Sequence, residues 1–417
     1  MVKPGYKQTE IGIIPEDWDI VELKEAFPKL EAGVSVNSDS TLFSDYYVLK
    51  TSAVHDGRID CDEAKPVIAR DYNRLKCPLV PGSIVFSRMN TPQLVGECGY
   101  VKEVKNGTFL PDRLWLIRNP VGSEFDFEWL NYLLNTRRYR DAVRATATGT
   151  SNSMKNISKD RLLEIFIPKP KIDEQKRIAE ALSDIDALIN NLEELVAKKK
   201  AIKQGAMQEL LTGKKRLPGF ADKWIKRTIG DMACIESGGT PSTTVGSYWN
   251  GKISWCTPTD ITENRSKYIR NTEKTITKEG VLNSSAKLLP KGTILLCTRA
   301  TIGESSIATD VITTNQGFKN LVCNDDVYNE FLYYALQMKK TEMVSLAIGS
   351  TFLEISKNAL SGILIDLPDN RDEQVAIASV LSDIDEEIEL LEQKLAKYRQ
   401  LKQGMMQQLL TGRIRLV

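Results

Sequence analysis

Apolar positions recur at helical spacing in two stretches of the chain, one central and one C-terminal. In the C-terminal stretch Ile377, Leu381, Ile384, Ile388, Leu391, Leu395 and Tyr398 step by four and three. Ile178, Leu182, Ile185, Ile189, Leu192 and Val196 make the same steps in the centre. This is the a/d seam of a coiled coil. Set Asp173-Glu174-Gln175 beside Asp372-Glu373-Gln374 and the two stretches align without a gap; about 26 of 45 positions are identical, including LSDID, KQG and LLTG. The pattern predicts two helices of about 40 residues, each ~60 Å long at ~1.5 Å per residue. Asp173 and Asp372 fit N-caps, and Gly213 and Gly412 fit C-terminal stops. A strict heptad suits a partner helix, and the natural partner of one copy is the other, in an antiparallel coiled coil. Packing of each seam on its own globule is the competing reading. Lys199 and Lys203, matched by Tyr398 and Lys402, then interrupt the seam, and the apolar positions shift to Ile202, Met207, Leu210 and Leu211. There the coiled coil is expected to end and docking against a globule to begin.

The intervening segments repeat more loosely. Trp18 in EDWDIVELKE pairs with Trp224 in DKWIKRTIGD, and the run Gly82–Arg88 pairs with Gly292–Arg299, each a short apolar strand ending in polar residues and an arginine. Gly149-Thr-Ser with Ile157-Ser-Lys159 echoes Gly349-Ser-Thr with Ile355-Ser-Lys357. Residues 127–145 and 329–347 read as matching helices, and each module closes on an apolar strand at Ile167-Pro168 or Leu367-Pro368. Short strands with one or two helices make each module α+β. The expected division is 1–169 and 214–368 for two globular domains, with helices at 170–213 and 369–417. The closing TGRIRLV matches TGKKRLP at 212–218, which leads into the second module, so the organisation reads as circular. A pseudo-two-fold particle with adjacent termini is expected.

The bulk numbers agree with this and add little. A chain of 417 residues exceeds one ordinary core, and 41% hydrophobic with 27% charged is ordinary for a globular protein. A formal net charge of +1 neither favours nor excludes nucleic acid. The N-terminus lacks the apolar run of a signal peptide, and no stretch approaches a membrane span. Cys61, Cys77, Cys98, Cys234, Cys256, Cys297 and Cys323 have no paired spacing and read as reduced thiols of a cytoplasmic protein. With one histidine, His55, a metal site has almost nothing to be built from.

Catalytic chemistry is scarce. There is no P-loop, no G-x-G-x-x-G stretch and no Asn/Asp-Pro-Pro-aromatic motif of amino-methyltransferases. His55 in AVHDGRID reads as a turn, and Asp112 in LPDRLW, with no downstream Glu-x-Lys, reads as a strand-flanking loop. Two related but diverged lobes held by rigid helices make a ruler for a linear, periodic ligand. DNA fits, because two lobes can contact grooves about one turn (~34 Å) apart, and unlike lobes imply an asymmetric bipartite target. A protein-binding coiled-coil adaptor is the alternative.

The DEQ-x-x-I-A-x-x-L-S-D-I-D openings and KQG-x-M-Q-x-L-L-T-G closings are carried by the helical repeats. The W-x-x-x-x-L/I-x-x lobe openings accompany them, with a turn at Arg299–Gly303 from which the first lobe departs (Arg88-Met-Asn-Thr-Pro). On these the chain resembles the specificity (S) subunit of type I restriction–modification systems, over essentially its whole length. The resemblance implies two target-recognition domains on double-stranded DNA, one half-site each, with no activity of the subunit's own. It further implies helices that fix the spacer and dock two methyltransferase (M) subunits, which restriction (R) subunits join. S-adenosylmethionine, ATP and Mg are then expected on those partners and none on this chain, with no membrane association.

Polar and basic residues at the ends of apolar strands are the candidates for groove or phosphate contact. In the first lobe these are Ser87, Arg88, Asn90, Gln93, Thr150, Ser151, Asn152 and Lys155. In the second they are Thr298, Arg299, Thr301, Ser350, Thr351 and Lys357. Gly149, Gly303 and Gly349 read as setters of backbone conformation. The Arg137–Arg144 run and Lys198–Lys200 read first as solvated helix faces and second as phosphate contacts.

Overall fold

The computed structural model describes residues 4–41, 43–149, 153–264, 266–349 and 353–417. Two compact units emerge, residues 1–191 with 395–417, and residues 192–394. The boundary falls inside both long helices, Ile172–Leu210 and Arg371–Leu409. Each unit therefore owns the start of one helix, the end of the other, and one globular module.

The first unit is built on a four-stranded sheet in which Ile84–Ser87 lies between Cys98–Tyr100 and Leu114–Ile117, with Glu31–Ala32 at the edge. Every residue of Ile84–Ser87 and Leu114–Ile117 is buried, as expected of strands covered on both faces. A smaller sheet joins Tyr47–Leu49 to Thr108–Phe109 and Ala64–Pro66. The strand Asp19–Glu22 pairs with Phe166–Lys169, which closes the module on Ile167 and Pro168. The second unit repeats the plan. Ile294–Cys297 is central in a five-stranded sheet, Trp249–Cys256 is central in a three-stranded one, and Trp224–Thr228 pairs with the closing strand Leu364–Pro368. Both modules are α+β.

The expected single helices at 127–145 and 329–347 are each two. The first breaks between Phe127–Leu134 and Arg137–Ala145, where Thr136 is extended and the Asn135 amide donates to the Asn131 carbonyl at 2.8 Å. The second breaks at Lys339. His55 and Asp56 lie in a hairpin whose Asp56-Gly57 turn has both φ positive, which is why an Asp-Gly pair stands there.

The helical repeats are explained residue by residue. Asp173 and Asp372 are not N-caps; each is the second residue of its helix, and Asn370 Oδ1 accepts the Asp372 N–H at 2.9 Å in the capping role. Gln175 is buried, accepts from the Asp126 N–H at 2.9 Å and donates to the carbonyls of Glu124 and Pro170. Gln374 repeats this with the Tyr328 N–H and the carbonyls of Asp326 and Pro368. Each glutamine thus ties a helix start to its own module. Gly213 and Gly412 are left-handed stops, as expected; a Cβ at Gly412 would lie 2.5 Å from Pro15.

Both readings of the seam hold, in different parts. Ile178 and Leu182 belong to the core of the first module, together with Trp129, Leu133 and Leu409, and Ile377 and Leu381 belong to that of the second, with Phe331, Leu332 and Leu210. Ile185, Ile189, Leu192, Val196, Ile388 and Leu395 are buried outside those module cores, and Ile384, Leu391 and Tyr398 are half-buried. Past the seam, Met207, Leu210 and Leu211 enter the second module's core as the shifted pattern predicts, whereas Ile202 is exposed. Within each unit the two helices run antiparallel. Asp186 meets Lys402 at 2.7 Å in the first, and Lys203 meets Asp385 at 2.7 Å in the second. The LSDID aspartate of one copy thus takes the KQG lysine of the other. A module tyrosine completes each contact, Tyr132 to Asp186 at 2.8 Å and Tyr334 to Asp385 at 2.7 Å.

Candidate nucleic-acid interface

In the first unit the candidate segments come together where the central strand ends. Met89–Asn90 pairs antiparallel with Lys155–Ile157, which pairs in turn with Ala147–Thr148. Ser87 and Asn90 are buried: Asn90 Nδ2 donates to Ser87 Oγ at 3.2 Å, and Asn90 Oδ1 accepts the Thr91 N–H at 2.9 Å. These two hold the turn from beneath and do not face outward. Gln93 is exposed, and Lys155 donates to the Gly149 carbonyl at 2.6 Å. The Arg88 guanidinium lies over the Trp115 ring at 5.7 Å, with its Nε buried and without a partner among the described residues. Asn156 Oδ1, on the residue paired with Met89, is also buried and without a partner among the described residues. Asn156 was not among the sequence candidates, because only its strand partners reveal it.

The second unit makes the same juxtaposition with other chemistry. Arg299 and Ile348 each bridge to Glu354 through the backbone. Arg299 grips the Glu354 carboxylate with Nε at 3.1 Å and with Nη2, and Lys319 Nζ approaches the other oxygen at 3.4 Å. Hydrogen bonds from Arg299 hold the Glu354 carboxyl below its ordinary range. Thr298 is buried and donates to the Gly317 carbonyl at 3.1 Å, so it is a support. Thr301 is half-buried in a turn where Ala300 takes φ +63° and Gly303 takes φ +89°. A Cβ at Gly303 would come within 2.8 Å of the Lys340 side chain, so glycine is needed twice over. Lys357 is exposed at the start of the helix Lys357–Ser361. Gly149 and Gly349 have φ of +128° and +147°, the backbone-setting role expected. Thr150, Ser151, Asn152, Ser350 and Thr351 lie outside the described residues.

The backbone corrects one equivalence. Ile157 N–H donates to the Arg88 carbonyl at 2.8 Å, whereas Ile355 N–H donates to the Thr298 carbonyl at 3.1 Å. The Ser87 and Cys297 N–H groups likewise donate to matching carbonyls, those of Glu97 and Glu304. Arg88 therefore corresponds to Thr298, and Arg299 to Met89. Matching the two arginines by type had slipped the register by one residue. By the same ladder Glu354 corresponds to Asn156, and Lys319, opposite Leu296, corresponds to Trp115, opposite Phe86.

The basic runs are largely spoken for. Arg140 and Arg144 converge on Glu97 at 3.3 and 2.9 Å. Lys199 pairs with Glu387, and Lys200 with Glu392 at 2.6 Å. Arg137 stays exposed. Among the described residues no group of three His, Cys, Asp or Glu is placed to hold a metal ion. All seven cysteines are free, and burial pushes the Cys98 thiol up to about 12. No described helix is long and apolar enough to cross a membrane.

Comparison with known proteins adds what geometry alone does not. The model of the type I restriction modification DNA specificity domain matches twice, over residues 15–204 and 221–399. The chain is 28% identical over 428 aligned residues to the putative type I restriction enzyme MjaX specificity subunit of Methanocaldococcus jannaschii, covering 99% of this chain and 97% of that protein. It is 40% identical over 168 residues to the MjaIX specificity subunit of the same organism; that match spans 40% of this chain and only 39% of the relative. A crystal structure of the S subunit of the type I restriction–modification system from M. genitalium superimposes with a TM-score of 0.60 at 16% identity, covering 97% and 98% of the two chains.

Proposed function

The chain belongs to the type I restriction modification DNA specificity family, and we propose that each of its units reads one half of an asymmetric, bipartite DNA target. One observation carries the reading. At equivalent backbone positions the two units present different chemistry, Met89, Asn156 and Trp115 against Arg299, Glu354 and Lys319, while their helical motifs are engaged almost identically. Surfaces that diverge on a shared frame suit two unlike half-sites; frames that agree suit two equal partners.

In this reading Arg88 and Arg299 address base edges, with arginine suited to the O6 and N7 acceptors of guanine. Gln93, Lys155, Thr301 and Lys357 supply further polar and phosphate contacts, as do Thr150, Ser151, Asn152, Ser350 and Thr351. Two methyltransferase subunits dock on the helical repeats, whose length sets the spacer between half-sites, and restriction subunits join them in the cytoplasm. S-adenosylmethionine, ATP and Mg belong to those partners. The chain itself is non-catalytic, in keeping with the lack of cofactor motifs in its sequence. The adaptor alternative loses ground to the family match, which is to a DNA specificity domain.

The test is to assemble the chain with its methyltransferase subunits and measure binding to duplex DNA as salt is raised. A single preferred bipartite sequence is expected, over a background that weakens steeply with salt. Binding without sequence preference, or none at all, contradicts the reading.

A further inference from the structure

The Arg299–Glu354–Lys319 cluster is unusual for a surface meant to meet DNA, because its centre is a carboxylate. Phosphates repel an acid, and an acid placed there by chance costs affinity. This one is compensated twice, by Arg299 on one oxygen and Lys319 on the other, so the cluster stays net positive. Two of its members are reachable, with the side chains of Arg299 and Glu354 42% and 29% exposed, while Lys319 is buried. Its place in the unit fits an outward role. The strand Ile294–Cys297 begins beside Asn329, which donates to the Gly292 carbonyl, next to the Tyr328–Gln374 tie to the helix. Arg299 stands at the strand's other end.

The hydrogen-bond capacity left over is specific. Arg299 uses Nε and one Nη on Glu354, leaving the remaining guanidinium donors free among the described residues. Glu354 Oε2 accepts both Arg299 bonds, whereas Oε1 accepts only from Lys319 among the described residues and keeps a second lone pair available. A fixed carboxylate only accepts, so it selects an amino group; the free guanidinium edge only donates, so it selects paired acceptors. In the major groove a C·G pair offers both, the cytosine amino group on one base and guanine O6 and N7 on the other.

We propose that Glu354 is a specificity-determining residue, and that with Arg299 it reads a C·G base pair in the half-site of the second unit. The inference rests on the DNA-reading function above. The first unit lacks the device: its equivalent positions are Met89, Asn156 and Trp115, and Asn156, whose Oδ1 is buried without a partner among the described residues, stands at the ladder position of Glu354.

The test uses the complex of the full chain with its methyltransferase subunits. Wild type, Glu354→Gln and Arg299→Gln are each measured for binding across duplexes varied one base pair at a time. Glutamine keeps the size of Glu354 but donates as well as accepts. Glu354→Gln is expected to cut the preference at one C·G pair by about tenfold, leaving the other half-site unchanged, and Arg299→Gln is expected to relax the same pair. A shift of preference at that pair alone in Glu354→Gln, or in Glu354→Ala where the glutamine variant folds poorly, supports the proposal; a shift in Arg299→Gln alone, with the Glu354 variant discriminating as wild type does, overturns it. Unchanged preference in both, or a uniform loss across all sequences, overturns it. A wild-type complex with no sequence preference overturns the DNA-reading function as well, a result distinct from a discriminating wild type whose variants discriminate equally.

Discussion

Arg415 clasps Glu174 across 241 positions of sequence, with Nε 2.7 Å from one carboxylate oxygen and Nη2 2.9 Å from the other. The same guanidinium reaches Asp17 at 2.8 Å and lies over the Trp18 ring, whose indole N–H donates to Glu174 at 2.9 Å. In the second unit Arg216 grips Glu373 at 2.6 and 2.7 Å and lies over Trp224. The TGRIRL and TGKKRL segments thus do one job, closing a helix end onto the tryptophan that opens a module and the glutamate that opens the other helix. In the first unit this brings residues 6–18 against residues 412–415, as the circular reading of the repeat expects.

Arg415→Ala leaves the buried Glu174 carboxylate without its cation. Roughly 3 kcal/mol of stability should be lost at neutral pH, the lower end for breaking a buried pair on one side. The pH dependence follows from Asp17, whose carboxyl is held below the ordinary carboxylate range by hydrogen bonds from Arg415. A lowered folded value means the contribution is present above that range and fades as pH falls through the lowered value. Denaturant melts of wild type and variant should therefore converge in acid, starting below about pH 4. A gap that widens on acidification would refute the assignment.

The paired motifs make a directional prediction. Asp186→Lys should destabilise the chain by placing a third cation beside Lys402 and Arg58, and Lys402→Asp added in the same chain should restore most of the loss. Adding Lys203→Asp instead should not, because Lys203 serves Asp385. Thermal melting of the three variants decides it, and equal rescue by either lysine change would sink the pairing.

Leu182 separates the two readings of the seam. It is fully buried in the module core, while Leu188 one and a half turns on is 45% exposed. Leu182→Ala should cost about 2–5 kcal/mol, and Leu188→Ala should fall within about 0.5 kcal/mol of wild type. Comparable losses in urea unfolding would contradict the docking of the helix start on its module.

The helices were legible because a heptad and a second near-identical copy are both one-dimensional signals. Their motifs were visible too, but not their purpose: that Asp186 answers Lys402 depends on antiparallel pairing between distant copies, which no local pattern encodes. The capping assignment of Asp173 failed because an acid in the first turn and an N-cap look alike in sequence, one position apart. The module strands were found as apolar runs, yet Arg88 and Arg299 were matched by residue type where hydrogen bonds match Arg88 to Thr298. Ser87 and Thr298 looked like strand-end contacts because a period-two pattern does not reveal that both ends are covered. Glu354, Lys319 and Asn156 escaped notice for a related reason. Their meaning lies in what stands across the ladder.

Arg88→Ala in the assembled complex tests most directly whether each unit reads its own half of the target. Sequencing of methylated genomic DNA should show relaxed bases in one half-site only, with a loss of about 1–3 kcal/mol in specific binding and the other half unchanged. Relaxation of both half-sites, or an unaltered recognition sequence at full affinity, would contradict it.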